Sequence, residues 1–290
     1  LNSNGNLLGL PLGPIGGLGK VTWYDAALGK FLTPAGIARD ISGNYYVADT
    51  GNSRIQKFSK DGKYISGFGT KGNGPGELDM PWGIALDNNS DIYVADWNNH
   101  RVQKFTKDGC FLQSFGTWGR RDGEFDRPWG LTVDPKGEVY VADWRNDRIQ
   151  KFSPDGKFIA KYGCPGDADG EFTRPSSVAV DADGYIFVAD WGNERVQVLD
   201  PDGAFVMKIR GEATVSIWGN EFLNANLDES GARQRSNLET AENIRGDTPH
   251  EESSHIEHLF WSPVSVKLDK DNRLYVTDRN RHRIQVYRRN

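Results

Sequence analysis

The chain has 290 residues, 37% of them hydrophobic and 11% aromatic, which is enough for a packed core and excludes a chain disordered along its length. Net charge is −5, but residues 212–260 carry ten acids against Arg233, Arg235 and Arg245, so the remainder is close to neutral and lacks the strongly basic footprint of a general nucleic-acid binder. No stretch approaches the ~18 consecutive apolar residues of a membrane span, and 34 glycines with 13 prolines suit short strands joined by turns.

Residues 1–20 are rich in Gly, Leu and Pro and read as an N-terminal tail. Leu18 to Tyr24 alternates Val21 and Trp23 and lies one repeat upstream of Ile65 to Gly69, so it is a candidate strand for closing a ring. From there one pattern recurs five times. Asp49, Asp96, Asp143, Asp190 and Asp278 each end a Val-Ala-Asp-like run, and Arg54, Arg101, Arg148, Arg195 and Arg283 follow five residues later. A glutamine stands two residues past each arginine and a proline fifteen before each aspartate. The copies are separated by 47, 47, 47 and 88 residues, the last gap being one period plus an insertion of 41. A period in the forties with strand-like content predicts a propeller.

Within a repeat, four strands are predicted. Gly83 to Leu86 is small and apolar, as an inner strand at a crowded axis must be. Ile92 to Ala95 is continuously apolar and reads as buried on both faces. Arg101 to Phe105 is the third strand; Asp108-Gly109 marks a hairpin, and Phe111 to Phe115 is the outermost strand. Residues 212–260 break the pattern as an acidic, partly helical insertion, with Trp218, Phe222, Leu223 and Leu227 at helical spacing. Residues 21–211 thus hold the closing strand and four repeats, and residues 261–290 the last.

The sequence proline, Gly-Ile-Ala-Leu-Asp, Ile-Tyr-Val-Ala-Asp, Asn-His-Arg-Val-Gln-Lys-Phe resembles the NHL repeat over residues 21–211 and 261–290. The resemblance implies an all-β propeller of four-stranded blades, five visible and a sixth possible. Members of that family serve as scaffolds, as RNA binders and, in some relatives, as lyases, so fold alone leaves chemistry open.

The Asp-Arg pairs, with the glutamines, read as structural clamps across a turn rather than as a ring of metal ligands. Trp82 and Trp129 follow the prolines, and Trp97, Trp144 and Trp191 follow the aspartates; both kinds of loop emerge on one face of a propeller. With Arg145, Arg279 and Arg281 they form a candidate binding surface of the residue types that dominate interaction hot spots, the plain alternative being lids packed between blades. The inner strands contain no His, Cys, Asp or Glu, so no catalytic residue, axial metal or cofactor is assigned. His250, His255 and His258 in the insertion are weak metal candidates, and His100 and His282 occupy a variable surface position shared with Ser53, Asp147 and Glu194. Cys110 and Cys164 are expected as free thiols. The function expected is a non-catalytic scaffold, or a subunit of a larger assembly, that docks a protein partner through the tryptophan face and the inserted arm. A lyase- or lactonase-like enzyme with loop-borne groups, or an RNA or carbohydrate binder, is the alternative. The compartment stays open, with the lack of an initiator methionine at Leu1 leaning towards an extracytoplasmic one.

Overall fold

The computed structural model describes residues 27–211, 224–228, 248–255 and 258–288. They form an all-β, five-bladed propeller in which each blade is an antiparallel sheet running outward from the axis. The first blade is β1 (Ile37–Arg39), β2 (Tyr45–Asp49), β3 (Arg54–Phe58) and β4 (Tyr64–Phe68), and the second β5 (Pro81–Leu86), β6 (Ile92–Asp96), β7 (Arg101–Phe105) and β8 (Phe111–Phe115). The third is β9 (Pro128–Val133), β10 (Val139–Asp143), β11 (Arg148–Phe152) and β12 (Phe158–Tyr162), and the fourth β13 (Pro175–Val180), β14 (Ile186–Asp190), β15 (Arg195–Leu199) and β16 (Phe205–Ile209). The fifth has β17 (Pro263–Leu268), β18 (Arg273–Asp278) and β19 (Arg283–Arg288) among the described residues. The candidate closing strand, Leu18 to Tyr24, and any sixth blade lie outside them.

From the second blade on, the inner strands begin at the proline, two residues earlier than the sequence predicts. Proline lacks an N–H, and the first position of a strand tolerates that loss. Pro81 therefore pairs with Asp96, and a bulge carries the register on to Ile84 opposite Val94. As a result Trp82 and Trp129 belong to strands β5 and β9 rather than to the loops before them. Small residues follow because the strands crowd at the axis. A methyl group added to Gly130 would sit 2.6 Å from the Ser176 carbonyl oxygen of the next blade, and Gly36 and Gly83 face the same obstacle at Trp82 and Trp129.

Blades pack through apolar layers. Tyr46, Ala48 and Ile55 of the first meet Ile84, Val94 and Phe105 of the second, and equivalent clusters join the second to the third, third to fourth and fourth to fifth. No such layer joins the fifth to the first among the described residues. At that seam Ile37 is 57% exposed where its counterpart Ile84 is 3%, and Ile284 is 65% exposed where Val102 is fully buried.

The repeated aspartates are fully buried and hold each blade to the loop that leads into it. Asp143 is typical. Its Oδ1 accepts from the Asp126 N–H at 2.8 Å, and its Oδ2 accepts from Asn146 Nδ2, Arg148 Nε and Gln150 Nε2 at 2.9, 2.9 and 3.1 Å. Arg148 also donates to the carbonyls of Arg121 and Glu124, and Gln150 to that of Glu124. All five arginines pair with their aspartates at 2.8–2.9 Å. Burial raises the carboxyl pKa of Asp96, Asp190 and Asp278 and takes that of Asp143 to about 6, against the opposing pull of these donors.

The position read from sequence as a variable surface site is instead a link between blades. Ser53, His100, Asp147 and Glu194 each end a single 3-10 turn with φ of 52–53°, where a left-handed backbone aims the side chain sideways. His100 Nδ1 accepts from the Arg127 N–H at 3.1 Å, Asp147 from the Arg174 N–H at 2.6 Å, and Glu194 from the Ser262 N–H. In each case the donor is the residue before the next blade's proline. His282 holds this position at the seam and is exposed.

Two substitutions test these devices. Arg148→Ala takes the charged partner from the buried Asp143 carboxylate, which keeps three neutral donors, and the donor from the Arg121 carbonyl, and is expected to cost about 1–3 kcal/mol in equilibrium urea unfolding, whereas Lys157→Ala, which removes an exposed ion pair to Asp155, leaves the midpoint in place. Gly130→Ala is expected to cost about 1–3 kcal/mol through overpacking at the axis; a midpoint equal to wild type would show that the inner strands have room to spare.

Candidate binding face and axial channel

The five tryptophans singled out in the sequence come together in one array. Trp82 meets Trp129 at 4.8 Å between ring centroids and Trp97 at 5.7 Å; Trp129 meets Trp144 at 5.2 Å. Trp97, Trp144 and Trp191 continue it at 6.2 and 6.4 Å across the second, third and fourth blades. Every ring is half-buried, so each is both a packing element and part of the surface.

Arginines cover this array, and two of them were not singled out by the sequence. Arg127 lies over Trp97 at 4.4 Å and Arg174 over Trp144 at 5.3 Å, with Arg145 also over Trp144 at 5.7 Å. Arg127 and Arg174 precede the prolines, and that position was the available signal, since it places them beside the tryptophan of the preceding blade. In the fourth blade the same place is held by Ser262, whose Oγ accepts from Trp191 Nε1 at 3.0 Å. The corresponding indole N–H groups of Trp97 and Trp144 are buried without an acceptor among the described residues. Burial lowers the pKa of His100, and the cations Arg127 and Arg145 add to this against the opposing pull of the Asp126 carboxylate, in keeping with its acceptor role at Nδ1.

Arg281 serves the chain's own insertion. It replaces the asparagine of the other clamps, lies over Trp261 at 5.4 Å, and donates at 2.6 Å to the Ser253 carbonyl of helix α1 (Pro249–His255). The helix is held further by Arg210 to Glu252 at 2.7 Å and by His250, whose Nδ1 donates to Glu194 at 2.5 Å while its Nε2 accepts from Trp261 Nε1 at 3.2 Å. Burial raises the Glu194 pKa above the usual carboxylate range. His250 is thus engaged with Glu194 and Trp261, His258 supplies a backbone carbonyl to Arg283, and the described residues contain no metal-holding cluster. The His255 side chain lies outside the described residues. So do Trp218, Phe222 and Leu223 of the predicted amphipathic helix, while Leu227 is exposed. Cys110 and Cys164 are exposed free thiols, as expected.

The axis is an open channel of about 570 Å³. All five inner strands contribute to its wall; Trp82 and Trp129 form the aromatic part, Thr33, Ser176, Ser177, Ser265 and Thr277 the hydroxyl part, and Lys267 and Arg279 the only charges among the described residues. Trp97, Trp144 and Trp191 do not line it, so the array spans both the channel wall and the face around it. Desolvation lowers the Lys267 pKa, although the channel solvent that reaches its side chain moderates the effect. No helix among the described residues is long and apolar enough to cross a membrane.

The chain resembles known proteins in fold. A streptogramin B lyase structure aligns with a TM-score of 0.53 at 16% identity, covering 88% of this chain and 68% of that one. Virginiamycin B lyase from Staphylococcus aureus gives 0.53 at 13% identity over 88% and 69%, and a nidogen/laminin complex gives 0.55 at 19% identity over 87% and 74%. Identities this low speak for the fold alone. A search of curated protein sequences finds no match to the chain. The NHL repeat model matches at residues 31–58, 78–105, 125–152, 172–199 and 260–287, one copy for each blade, and the chain belongs to the NHL-repeat β-propeller family.

Proposed function

We propose that this propeller is a non-catalytic scaffold that docks a partner protein through its tryptophan- and arginine-bearing face. The observation that carries the reading is the array itself: half-buried indoles that hold one another in place, with Arg145 and Arg174 exposed over them. Aromatic rings fixed before binding lose little entropy when a partner arrives, and Trp and Arg are the residue types richest in hot spots. Helix α1, a described part of the acidic insertion, is held at the edge of the same face by Arg281 and Glu194, so it adds contact area beside the array. Protein binding accords with the nidogen/laminin likeness; the lyase alternative has likeness of fold behind it and no assigned catalytic group.

Affinity capture from the native source tests the reading. The double variant Arg145→Glu, Arg174→Glu reverses exposed charge without opening the core, so its melting temperature should match wild type. A partner enriched by wild type is expected to fall at least about tenfold in the variant, the scale of a hot-spot loss. Identical capture profiles would refute the assignment of this face.

A further inference from the structure

We propose that the axial channel is a binding site for a small organic anion, with its carboxylate or phosphate held by Lys267 and Arg279 and a planar apolar body resting against Trp82 and Trp129. The proposal does not depend on the protein-docking reading, whose test rests on Arg145 and Arg174, both outside the channel lining.

The two cations are departures from the repeat. At the position of Lys267 the other blades carry Ala38, Ala85, Thr132 and Ala179, and at that of Arg279 they carry Thr50, Trp97, Trp144 and Trp191. The blade architecture is therefore built four times without a charge at either place. Several third-strand cations of the blades meet carboxylates: Lys104 pairs with Asp87 and Asp91, Lys151 with Glu138, and each repeat arginine with its aspartate. Lys267 and Arg279 have no side-chain hydrogen bond or ion pair among the described residues, and the channel lining contains no Asp or Glu. Both side chains are open to channel solvent with no counter-ion among the described residues, so an anion entering the channel would meet two unneutralised cations that can donate charge-assisted hydrogen bonds to it.

The rest of the wall suits the same ligand. Ser265 and Thr277 are paired across β17 and β18 and offer hydroxyls next to the cations for remaining oxygens. Trp82 and Trp129 meet edge to face at 66° and give the aromatic wall a fixed shape. A channel of about 570 Å³ falls within the usual range of small-molecule sites.

The test uses the full chain with benzoate and phenyl phosphate as probes and benzyl alcohol as the neutral counterpart, followed by isothermal titration calorimetry. Lys267→Ala and Arg279→Thr each install the residue another blade carries, so both should fold. At least one anion is expected to bind saturably to wild type, about tenfold more weakly to each variant, and at least tenfold more tightly than benzyl alcohol. The tighter of the two anions identifies the headgroup class. Absence of saturable binding by both anions, equal affinity for benzyl alcohol, or unchanged anion affinity in both variants would overturn the proposal. Should a variant fail to fold, the comparison of benzoate with benzyl alcohol on wild type still decides it.

Discussion

A buried carboxylate at the end of each second strand is the interaction on which the rest depends. The aspartate is inaccessible to water, yet it is surrounded by donors from four places: the loop entering the blade, the 3-10 turn, the arginine and the glutamine. A charge in that position is tolerable only when all its lone pairs are used. The arginine and glutamine then carry the tie outward to loop carbonyls, so one ionised group fixes where the outer strand of one blade hands over to the inner strand of the next. The strands themselves are short, and without this tie the connecting loops would have little to place them.

Fixing those loops is what builds the binding face. The turns after Asp96, Asp143 and Asp190 carry the outer tryptophans, and the residues before Pro128, Pro175 and Pro263 set Arg127, Arg174 and Ser262 against them. Neighbouring blades are then latched by the left-handed residue at the end of the turn, whose side chain takes the N–H of that same pre-proline residue. Structural and surface roles are thus shared among a few repeat positions. This explains why the tryptophans are neither free recognition groups nor wholly buried spacers.

The fifth blade differs from its siblings in ways that bear on function. It substitutes Arg281 for the clamp asparagine, Arg279 for the turn tryptophan, and Lys267 for a small inner residue. The first substitution serves helix α1, which the repeat pattern does not contain. The other two place charge on the channel. The same blade forms one side of the seam, where Ile284 and Ile37 are exposed in place of the sealed layers found between the other blades.

How much of this was legible in the sequence follows from range. The period, the four strands, the clamp pairs, the hairpin glycines and the gathering of tryptophans on one face could all be read from residues 1–290, because each is a local pattern repeated in phase. What could not be read were contacts between residues of different blades. The start of the inner strand at the proline depends on a bulge opposite Asp96; the latch role of His100, Asp147 and Glu194 depends on a neighbour 27 or more residues away; and the stacking of Arg127 and Arg174 depends on the distance between blades. Sequence alone determined that this chain is an NHL-type propeller with a repeated aspartate–arginine clamp, since periodicity needs only one dimension. The tertiary structure decided which tryptophans line the channel, which cations lack a partner among the described residues and what the variable position does, since those properties arise only when blades separated in sequence are brought face to face.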